Sequence, residues 1–237
     1  MDLGLSGKVA LVTASSRGLG RGCALALSRE GAKVVLCARD EARLSATAAD
    51  LPGETLSIAA DVTDPDVPAS LVRAALDRFG GLDILVGNAG GPPPARALDV
   101  DEDALLQALN ANLLTQIRLV QASLPHMRSA GWGRIVLLTS WGIKQPIPTL
   151  AYSNTARTGL WAWAKTAAQD LAGTGVTLNL VAPGPHATDR MKELGTTGRM
   201  GDAEDFGRIV AFLCSNSAAF VSGAALQVDG GASLGLL

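Results

Sequence analysis

Hydroxyl and cationic side chains with the spacing of one helix face lie between Ser140 and Arg157. Ser153 and Arg157 stand four residues apart, so within a helix they face the same side. Such an arginine can hold a ribose or phosphate group, but the hydroxyl of Ser153 is a far weaker acid than a phenol. The one phenol, that of Tyr152, comes one residue earlier, and four residues after it stands Ala156. The segment therefore predicts polar chemistry on a helix after Ser140 and leaves open which hydroxyl group serves it.

A glycine-containing turn at residues 13–20 follows the first apolar run and precedes a helical stretch. Backbone N–H groups at a helix N-terminus can hold a pyrophosphate. Gly18 and Gly20 let the backbone approach the ligand and the helix pack on a sheet. Tight strand-to-helix turns also use glycine, but the place after the first strand favours a dinucleotide site. The candidate contacts in this turn are Thr13, Ser15, Ser16, Arg17, Gly18, Leu19 and Gly20.

The charge at the end of the second strand indicates which dinucleotide would bind. An acidic residue there would bond the ribose hydroxyls of NAD and repel a 2′-phosphate, whereas this chain has Arg39. Arg17 adds a second guanidinium group, and the two suit a 2′-phosphate through charge-assisted hydrogen bonds. The alternative is that Arg39 pairs with Asp40 or Glu41 on the surface. The pattern predicts NADP(H) as the cofactor.

Short apolar runs alternate with longer helical stretches along the chain. The predicted strands are Val9–Thr13, Val34–Ala38, Leu56–Ala60, Ile84–Gly87, Ile135–Thr139, Thr177–Val181 and Leu226–Val228. The predicted helices are Gly20–Glu30, Glu41–Asp50, Val67–Phe79, Asp103–Arg128, Ser153–Ala172 and Ala203–Cys214. Most runs are continuously apolar, as expected for parallel strands covered on both faces. The alternation predicts a single α/β domain of Rossmann type, residues 1–237, in which a doubly wound parallel sheet of about seven strands has helices on both faces.

The composition agrees with one folded domain and argues against several kinds of partner. Of 237 residues, 48% are apolar and 18% are charged, which indicates a sizeable core. The net charge of −2 without a basic block disfavours nucleic acid and anionic membranes, and no apolar run is long enough to span a bilayer. Three cysteines show no metal-type spacing, and no targeting segment is visible. We therefore expect reduced thiols, no metal and a cytoplasmic location.

Several motifs occur in the order found in the short-chain dehydrogenase/reductase family, which the chain resembles over essentially its whole length. Residues 13–20 resemble the family loop T-G-x-x-x-G-x-G, with Ala14 at the first glycine, and residues 87–90 resemble N-N-A-G, with Gly87 at the first asparagine. The nearest resemblance is to bacterial 3-oxoacyl-carrier-protein reductases. Further positions that match cofactor contacts or catalytic residues of the family are Asp61, Val62, Asn88, Ala89, Gly90, Asn112, Ser140, Pro183, Gly184 and Thr188.

Ala14 is the first of the two departures in the cofactor motifs. Alanine is acceptable there if its φ is negative, with a modest crowding cost if it is not. The blander interpretation is that Ala14 only makes the turn more rigid.

The resemblance implies an active site of four side chains. In the family, a tyrosine hydroxyl gives or takes the proton at the carbonyl group, and a lysine four residues later lowers its pKa and holds the ribose. A serine orients the carbonyl group, and an asparagine completes a proton path. Ser140 and Asn112 match the last two. Without a gap, Ser153 takes the tyrosine position and Arg157 the lysine position.

Two registers fit this segment. In the first, the loop before the helix shifts by one residue, a path that Pro146 and Pro148 could fix, and Tyr152 enters the site. In the second, which we favour, Ser153 and Arg157 face the cofactor and Tyr152 points about 100° away. Lys144, in the loop after Ser140, is an alternative cation.

The segment after Pro183-Gly184 is short. The resemblance implies a helical insertion that closes over the substrate, but only Met191–Thr197 separates the two matching segments, which is too little for a two-helix lid. The pocket would then be open, covered by a partner subunit, or completed by a segment absent from this sequence. His186 lies beside the expected pocket, where it is either a catalytic group or an ordinary loop histidine.

Three functions follow from these observations. The first is an NADP(H)-dependent oxidoreductase acting on a carbonyl or alcohol substrate, and the intact cofactor motifs favour it. The second is an atypical family member with lost or altered redox chemistry, such as cyclisation or dehydration, and the broken Tyr–Lys pair favours it. The third is a binding role within an oligomer. The resemblance and an apolar stripe predict a homodimer or homotetramer, and the stripe consists of Leu160, Trp161, Ala164, Ala168 and Leu171.

Overall fold

Seven parallel strands form one sheet in the order β3-β2-β1-β4-β5-β6-β7. The structure is a computed structural model that describes residues 2–235, so the first and last residues of the predicted domain lie outside the described part. The strands are β1 (Val9–Thr13), β2 (Lys33–Ala38), β3 (Thr55–Ala59), β4 (Ile84–Gly87), β5 (Gly133–Leu138), β6 (Val176–Pro183) and β7 (Ala225–Val228). The chain builds outward from β1 to β3 and then returns to place β4 against the other side of β1. The strand order therefore reverses between β1 and β4, and the predicted doubly wound sheet is confirmed.

Eight α-helices connect the strands within the described residues. They are α1 (Gly18–Arg29), α2 (Glu41–Asp50), α3 (Val67–Phe79), α4 (Glu102–Leu109), α5 (Thr115–Ala130), α6 (Ala151–Asp170), α7 (Asp189–Glu193) and α8 (Ala203–Leu213). Aspartates begin three of them, because Asp40, Asp101 and Asp202 each accept a hydrogen bond from a backbone N–H of the first turn. Left-handed glycines, Gly80 and Gly131, end α3 and α5.

One long predicted helix, Asp103–Arg128, is in fact interrupted. A π-helical turn at Asn110–Leu114 separates α4 from α5 and contains Asn112. Such wide turns are rare in helices and are frequent at functional sites. Apolar periodicity does not reveal them, because the flanking helices keep the same pattern.

The core consists of two apolar layers, one on each face of the sheet. Residues of α1 and α8 pack on one face, and residues of α3, α5 and α6 pack on the other. Strands β1, β4, β5 and β6 are buried along their whole length, as predicted. The outermost strands β3 and β7 are only partly buried, because each pairs with a neighbouring strand on one side only.

Two glycines allow α1 and α8 to touch backbone to backbone. A Cβ at Gly22 would overlap the carbonyl group of Ala203, and a Cβ at Gly207 would overlap the carbonyl group of Gly22. This contact holds the start of α1 firmly against the rest of the molecule.

Most of the apolar stripe on α6 belongs to the chain's own core. Leu160, Ala164 and Leu171 are at most 2% exposed and pack among the residues of the sheet. Trp161 is partly buried against the same layer. The stripe therefore does not by itself present a surface for a partner subunit. Within residues 2–235, no helix has both the length and the apolar character needed to cross a membrane.

Candidate nucleotide-binding and active site

A cavity of about 540 Å³ opens at the carboxyl ends of β1, β4, β5 and β6. Parallel sheets bind ligands at this edge where the strand order reverses, because the loops diverge there and leave a crevice. The turn after β1, residues 88–92 after β4, Ser140 and Trp141 after β5, and residues 183–186 after β6 form its base. Ser153 and Arg157 of α6 and residues 188–196 complete the wall.

The turn after β1 contains a strained alanine. Ala14 has a φ of 47°, the only positive φ of a non-glycine residue within the described part of the chain. The left-handed conformation costs an L-residue roughly 1–2 kcal/mol, so Ala14 does more than make the turn rigid. A Cβ at Gly20 would overlap the carbonyl oxygen of Ala14, so Gly20 must remain without a side chain for this turn to form.

The hydroxyl side chains of Thr13 and Ser15 hold the shape of this turn and do not line the cavity. The hydroxyl of Thr13 donates to the carbonyl of Asn88 at 2.7 Å and accepts from its N–H at 2.8 Å, which joins the ends of β1 and β4. The hydroxyl of Ser15 accepts from the N–H of Cys37 at 3.1 Å. The carbonyl of Ser16 accepts from the hydroxyl of Thr47 at 3.1 Å. Thr13, Ser15, Ser16 and Gly20 thus lie behind the wall, whereas Arg17, Gly18 and Leu19 are on it.

Arg39 lies on the cavity wall at the end of β2, and its ion-pair partner is Asp61 and not Asp40 or Glu41. Its Nη1 lies 3.8 Å from Oδ2 of Asp61, and its side chain is 81% exposed. Asp40 instead pairs with Arg43. Hydrogen bonds from the N–H and hydroxyl of Thr63 hold the pKa of Asp61 below its usual value, with a smaller contribution from Arg39. Asp61 and Val62 themselves are not part of the wall.

Gln116 fills the space that a side chain at position 87 would need. A Cβ at Gly87 would overlap Oε1 of Gln116 and lie 2.7 Å from Cδ2 of Leu137. Gln116 is buried, and its Oε1 has no hydrogen-bond partner among the described residues. The departure from the N-N-A-G pattern at Gly87 is therefore matched by a side chain from α5. Asn88, Ala89 and Gly90 keep their place on the wall.

Ser140 and Arg157 both lie at the end of β5 and line the cavity. Ser140 follows the strand by two residues, and its hydroxyl accepts from the N–H of Gly142 at 3.1 Å. Arg157 is 7% exposed, and its Nη1 donates to the carbonyl of Leu138 at 2.9 Å. Burial, and secondly the charge of Arg190, lower the pKa of Arg157 to about 10. Arg157 therefore remains a cation at pH 7.

Tyr152 does not enter the cavity. The helix already begins at Ala151, so Tyr152 turns toward α4, where its hydroxyl accepts from the N–H of Asp101 at 2.8 Å. Its side chain is 4% exposed within this contact. The register in which the loop shifts the phenol to the cofactor is not the one adopted, and Ser153, also buried, faces the cavity instead.

Asn112 and Lys144 also lie away from the wall. Asn112 is 1% exposed, and its Nδ2 donates to the carbonyl of Ala108 at 3.4 Å. Its Oδ1 is buried with no hydrogen-bond partner among the described residues. Nζ of Lys144 lies 5.5 Å from the centre of the Trp161 ring.

A short helix, α7, stands where the family resemblance implies a larger lid. Arg190 in α7 donates from Nη2 to the carbonyl of Pro92 at 2.7 Å, across the cavity from its own segment. Arg17 lies 3.2 Å from Asp189 and 3.6 Å from Glu193, so ion pairs link α7 to the turn after β1. Arg190 was not among the predicted site residues. Its only signal in the sequence is its place two residues after Thr188.

His186 lies on the wall but is occupied by structural contacts. Its Nδ1 lies 2.9 Å from the carbonyl oxygen of Gly184, and its ring packs edge-on against Phe206 with centres 5.0 Å apart. A Cβ at Gly201 would lie 2.8 Å from the imidazole ring. These contacts explain why the side chain is 5% exposed.

Comparison with known proteins identifies the family. The family described as "Enoyl-(Acyl carrier protein) reductase" matches residues 13–233. The 3-oxoacyl-[acyl-carrier-protein] reductase FabG of Vibrio cholerae is 35% identical over 97% of this chain and 98% of its own. Dehydrogenase/reductase SDR family member 4 of Sus scrofa is 34% identical over 96% of this chain and 88% of its own.

Solved structures agree with this assignment. L-sorbose reductase from Gluconobacter frateurii, complexed with NADPH and L-sorbose, superposes with a TM-score of 0.93 at 29% identity and covers both chains fully. A protein from Sinorhizobium meliloti described as a "putative short-chain alcohol dehydrogenase" has a TM-score of 0.87 at 35% identity over 95% of this chain and 96% of its own. The sheet order, the cavity at its reversal point and these matches show that the chain belongs to the short-chain dehydrogenase/reductase family of oxidoreductases.

Proposed function

We propose that this protein is an NADP(H)-dependent oxidoreductase that interconverts a carbonyl compound and an alcohol. The observation that carries the proposal is one continuous cavity, which joins the turn after β1 to Ser140 at the end of β5. A dinucleotide and a small substrate would therefore share one space. The resemblance to an L-sorbose reductase in complex with NADPH supports this combination.

The residues at the β1 end of the cavity fit a dinucleotide. Gly18, with a φ of 57°, begins α1, and the free N–H groups of that helix start suit a pyrophosphate. Arg17 and Arg39 stand on the same wall and would bind a 2′-phosphate. When bound, the nicotinamide ring supplies or accepts the hydride.

The residues at the β5 end would orient the substrate oxygen. The hydroxyl of Ser140 accepts from a backbone N–H, which leaves its own proton free to be donated to a carbonyl oxygen. Arg157 keeps a positive charge at the same end, where charge develops on that oxygen. With Tyr152 turned away and His186 held by structural contacts, the proton would come from Ser153 with water.

Two measurements test the proposal. NADPH should bind, as followed by its fluorescence, and its oxidation should proceed with at least one compound in a broad carbonyl panel. Ser140→Ala should slow turnover without changing NADPH affinity, whereas the matched control Ser70→Ala, an exposed serine of α3, should change neither. A chain that binds no nicotinamide dinucleotide would contradict the proposal.

A second function is favoured by one observation, the position of Tyr152. Because Tyr152 lies outside the cavity, the site lacks the tyrosine proton donor that the family resemblance implies. A non-redox reaction such as dehydration or cyclisation needs no hydride transfer and would be compatible with this loss. If NADPH binds but no carbonyl compound is turned over, this second function replaces the first.

We also propose a symmetric homodimer or homotetramer. Leu98 and Phe220 are fully exposed, and Leu234 is 85% exposed, and we expect partner subunits to cover these large apolar side chains. Light scattering at micromolar concentration tests this, and a monomer there would contradict it.

A further inference from the structure

Arg157 is a buried cation without an acidic partner. Its one described side-chain hydrogen bond goes to the carbonyl oxygen of Leu138. No carboxylate within the described part of the chain forms an ion pair with it, because the nearby acids of α7 pair elsewhere. Burial of a charge is costly unless a counter-charge compensates it. Arg157 therefore remains incompletely compensated by the protein's own residues.

Arg190 brings a second guanidinium group to the same wall. Nη2 donates to the carbonyl of Pro92, and Nη1 lies 3.8 Å from Glu193, at the outer range of an ion pair. Arg157 and Arg190 both line the cavity, and the positive charge of Arg190 contributes to the lowered pKa of Arg157. Asp189 and Glu193 also line the cavity, but Arg17 holds both at its rim.

An anion bound between the two guanidinium groups would compensate the buried charge of Arg157 and the like charge that Arg190 brings to the same wall. A guanidinium group presents a planar set of N–H donors that matches the oxygen atoms of a carboxylate or phosphate. Arg157 donates a hydrogen bond to the carbonyl of Leu138, two residues before Ser140. The two arginines therefore lie at the Ser140 end of the cavity, to which we assign the substrate. The cofactor phosphates already have the start of α1 with Arg17 and Arg39 at the other end.

We propose that Arg157 and Arg190 bind an anionic oxygen group of the substrate, so that this protein acts on acidic carbonyl compounds or alcohols in preference to neutral ones. This inference rests on the proposed redox function, because it concerns the substrate of that reaction, but its test measures binding and requires no turnover. The alternative anion is a phosphate of the cofactor, and the same experiment separates it from an anionic substrate.

Calorimetry on the protein saturated with NADP⁺ compares two matched pairs of ligands. These are acetoacetate with methyl acetoacetate, and dihydroxyacetone phosphate with dihydroxyacetone. At least one anion should bind about tenfold more tightly than its neutral partner, which corresponds to a lost charge-assisted hydrogen bond. Arg157→Met and Arg190→Met should each remove this advantage, while the neutral ligands bind as before.

Two further variants make the result specific. Arg157→Lys retains the charge without the planar donors and should restore part of the anion affinity. Arg208→Met, on the exposed side of α8 where Arg208 pairs with Asp205, should leave anion affinity unchanged. If Arg157→Met fails to fold, Arg190→Met on the shorter and more exposed α7 still decides the question.

Several outcomes would overturn the proposal. Equal affinity for both members of both pairs would do so, as would variants that lose NADP⁺ affinity while anion affinity stays the same, because Arg157 would then serve the cofactor. The inference and the redox function fail separately. Reduction of methyl acetoacetate as fast as acetoacetate, with equal binding, refutes the inference alone, whereas tight anion binding without any NADPH oxidation refutes the redox function alone.

Discussion

Tyr152→Phe separates the stability of this protein from its chemistry. The hydroxyl of Tyr152 accepts a hydrogen bond from the N–H of Asp101, the residue that caps α4, and it lies outside the cavity. Phenylalanine keeps the ring, so the packing between α4 and α6 is retained and no cavity forms. What is lost is the acceptor for the N–H group of Asp101, in a hydrogen bond that is only partly buried.

The size of the effect follows from that single hydrogen bond. A partly buried hydrogen bond between neutral groups contributes about 0.5–1.5 kcal/mol to the free energy of unfolding. For a chain of this length, each kcal/mol lowers Tm by roughly 2–4 °C, so Tm should fall by about 1–6 °C. NADPH affinity and turnover below the transition should remain near those of the parent chain.

Urea and thermal unfolding give the stability, and NADPH fluorescence and oxidation give the function. Ser140→Ala is the contrasting variant. It also removes an acceptor, for the N–H of Gly142, and should lower stability by a similar amount, but it should in addition lower turnover. A lost general acid lowers the rate about 10²–10⁴-fold. A loss of that size in Tyr152→Phe, with NADPH affinity unchanged, would show that the phenol reaches the substrate and that the reasoning from its contact with Asp101 is wrong.

Three further predictions concern the cofactor, the backbone and the thiols. Arg39→Asp should reverse a preference for NADPH over NADH by about tenfold or more in affinity, and equal affinities in the parent chain would contradict the role of Arg39. Ala14→Gly should raise the free energy of unfolding by about 1 kcal/mol, because glycine adopts the left-handed conformation without strain. The control Ala46→Gly, in α2, should lower the free energy of unfolding by a similar amount. If Ala14→Gly also lowers it, Ala14 is not strained. Burial raises the pKa of Cys37 and Cys214 to about 12, so a thiol reagent should label no cysteine of the native protein at pH 8 and all three after unfolding; labelling of the native chain would contradict this burial.

The elements of the fold were largely predictable from local patterns. Continuous apolar runs place all seven strands to within two residues at each end, because a strand buried on both faces needs an apolar side chain at nearly every position. The interruption at Asn110–Leu114 was not predictable, because a π-helical turn inserts a residue without changing the apolar pattern on either side. The exposed edges β3 and β7 depend on the strand order, which no single run contains.

Some features of the site were likewise predictable from local sequence, and others depend on contacts between distant segments. The backbone turn of the site is encoded locally, because Gly18 and Gly20 follow a strand and begin a helix. The approach of Gln116 to Gly87, and of Arg190 to Pro92, joins segments far apart in the chain. Spacing alone therefore does not show these pairs.

The sequence by itself determined the types of side chain available between Ser140 and Arg157, and that Tyr152 and Ser153 face different sides of one helix. It did not determine which side faces the cavity. The tertiary structure decided this, because α4 packs beside α6 and offers the N–H of Asp101 to the phenol, which turns Ser153 and Arg157 toward the end of β5. The direction of a helix face is set by contacts with distant elements, and periodicity only defines the faces among which those contacts choose.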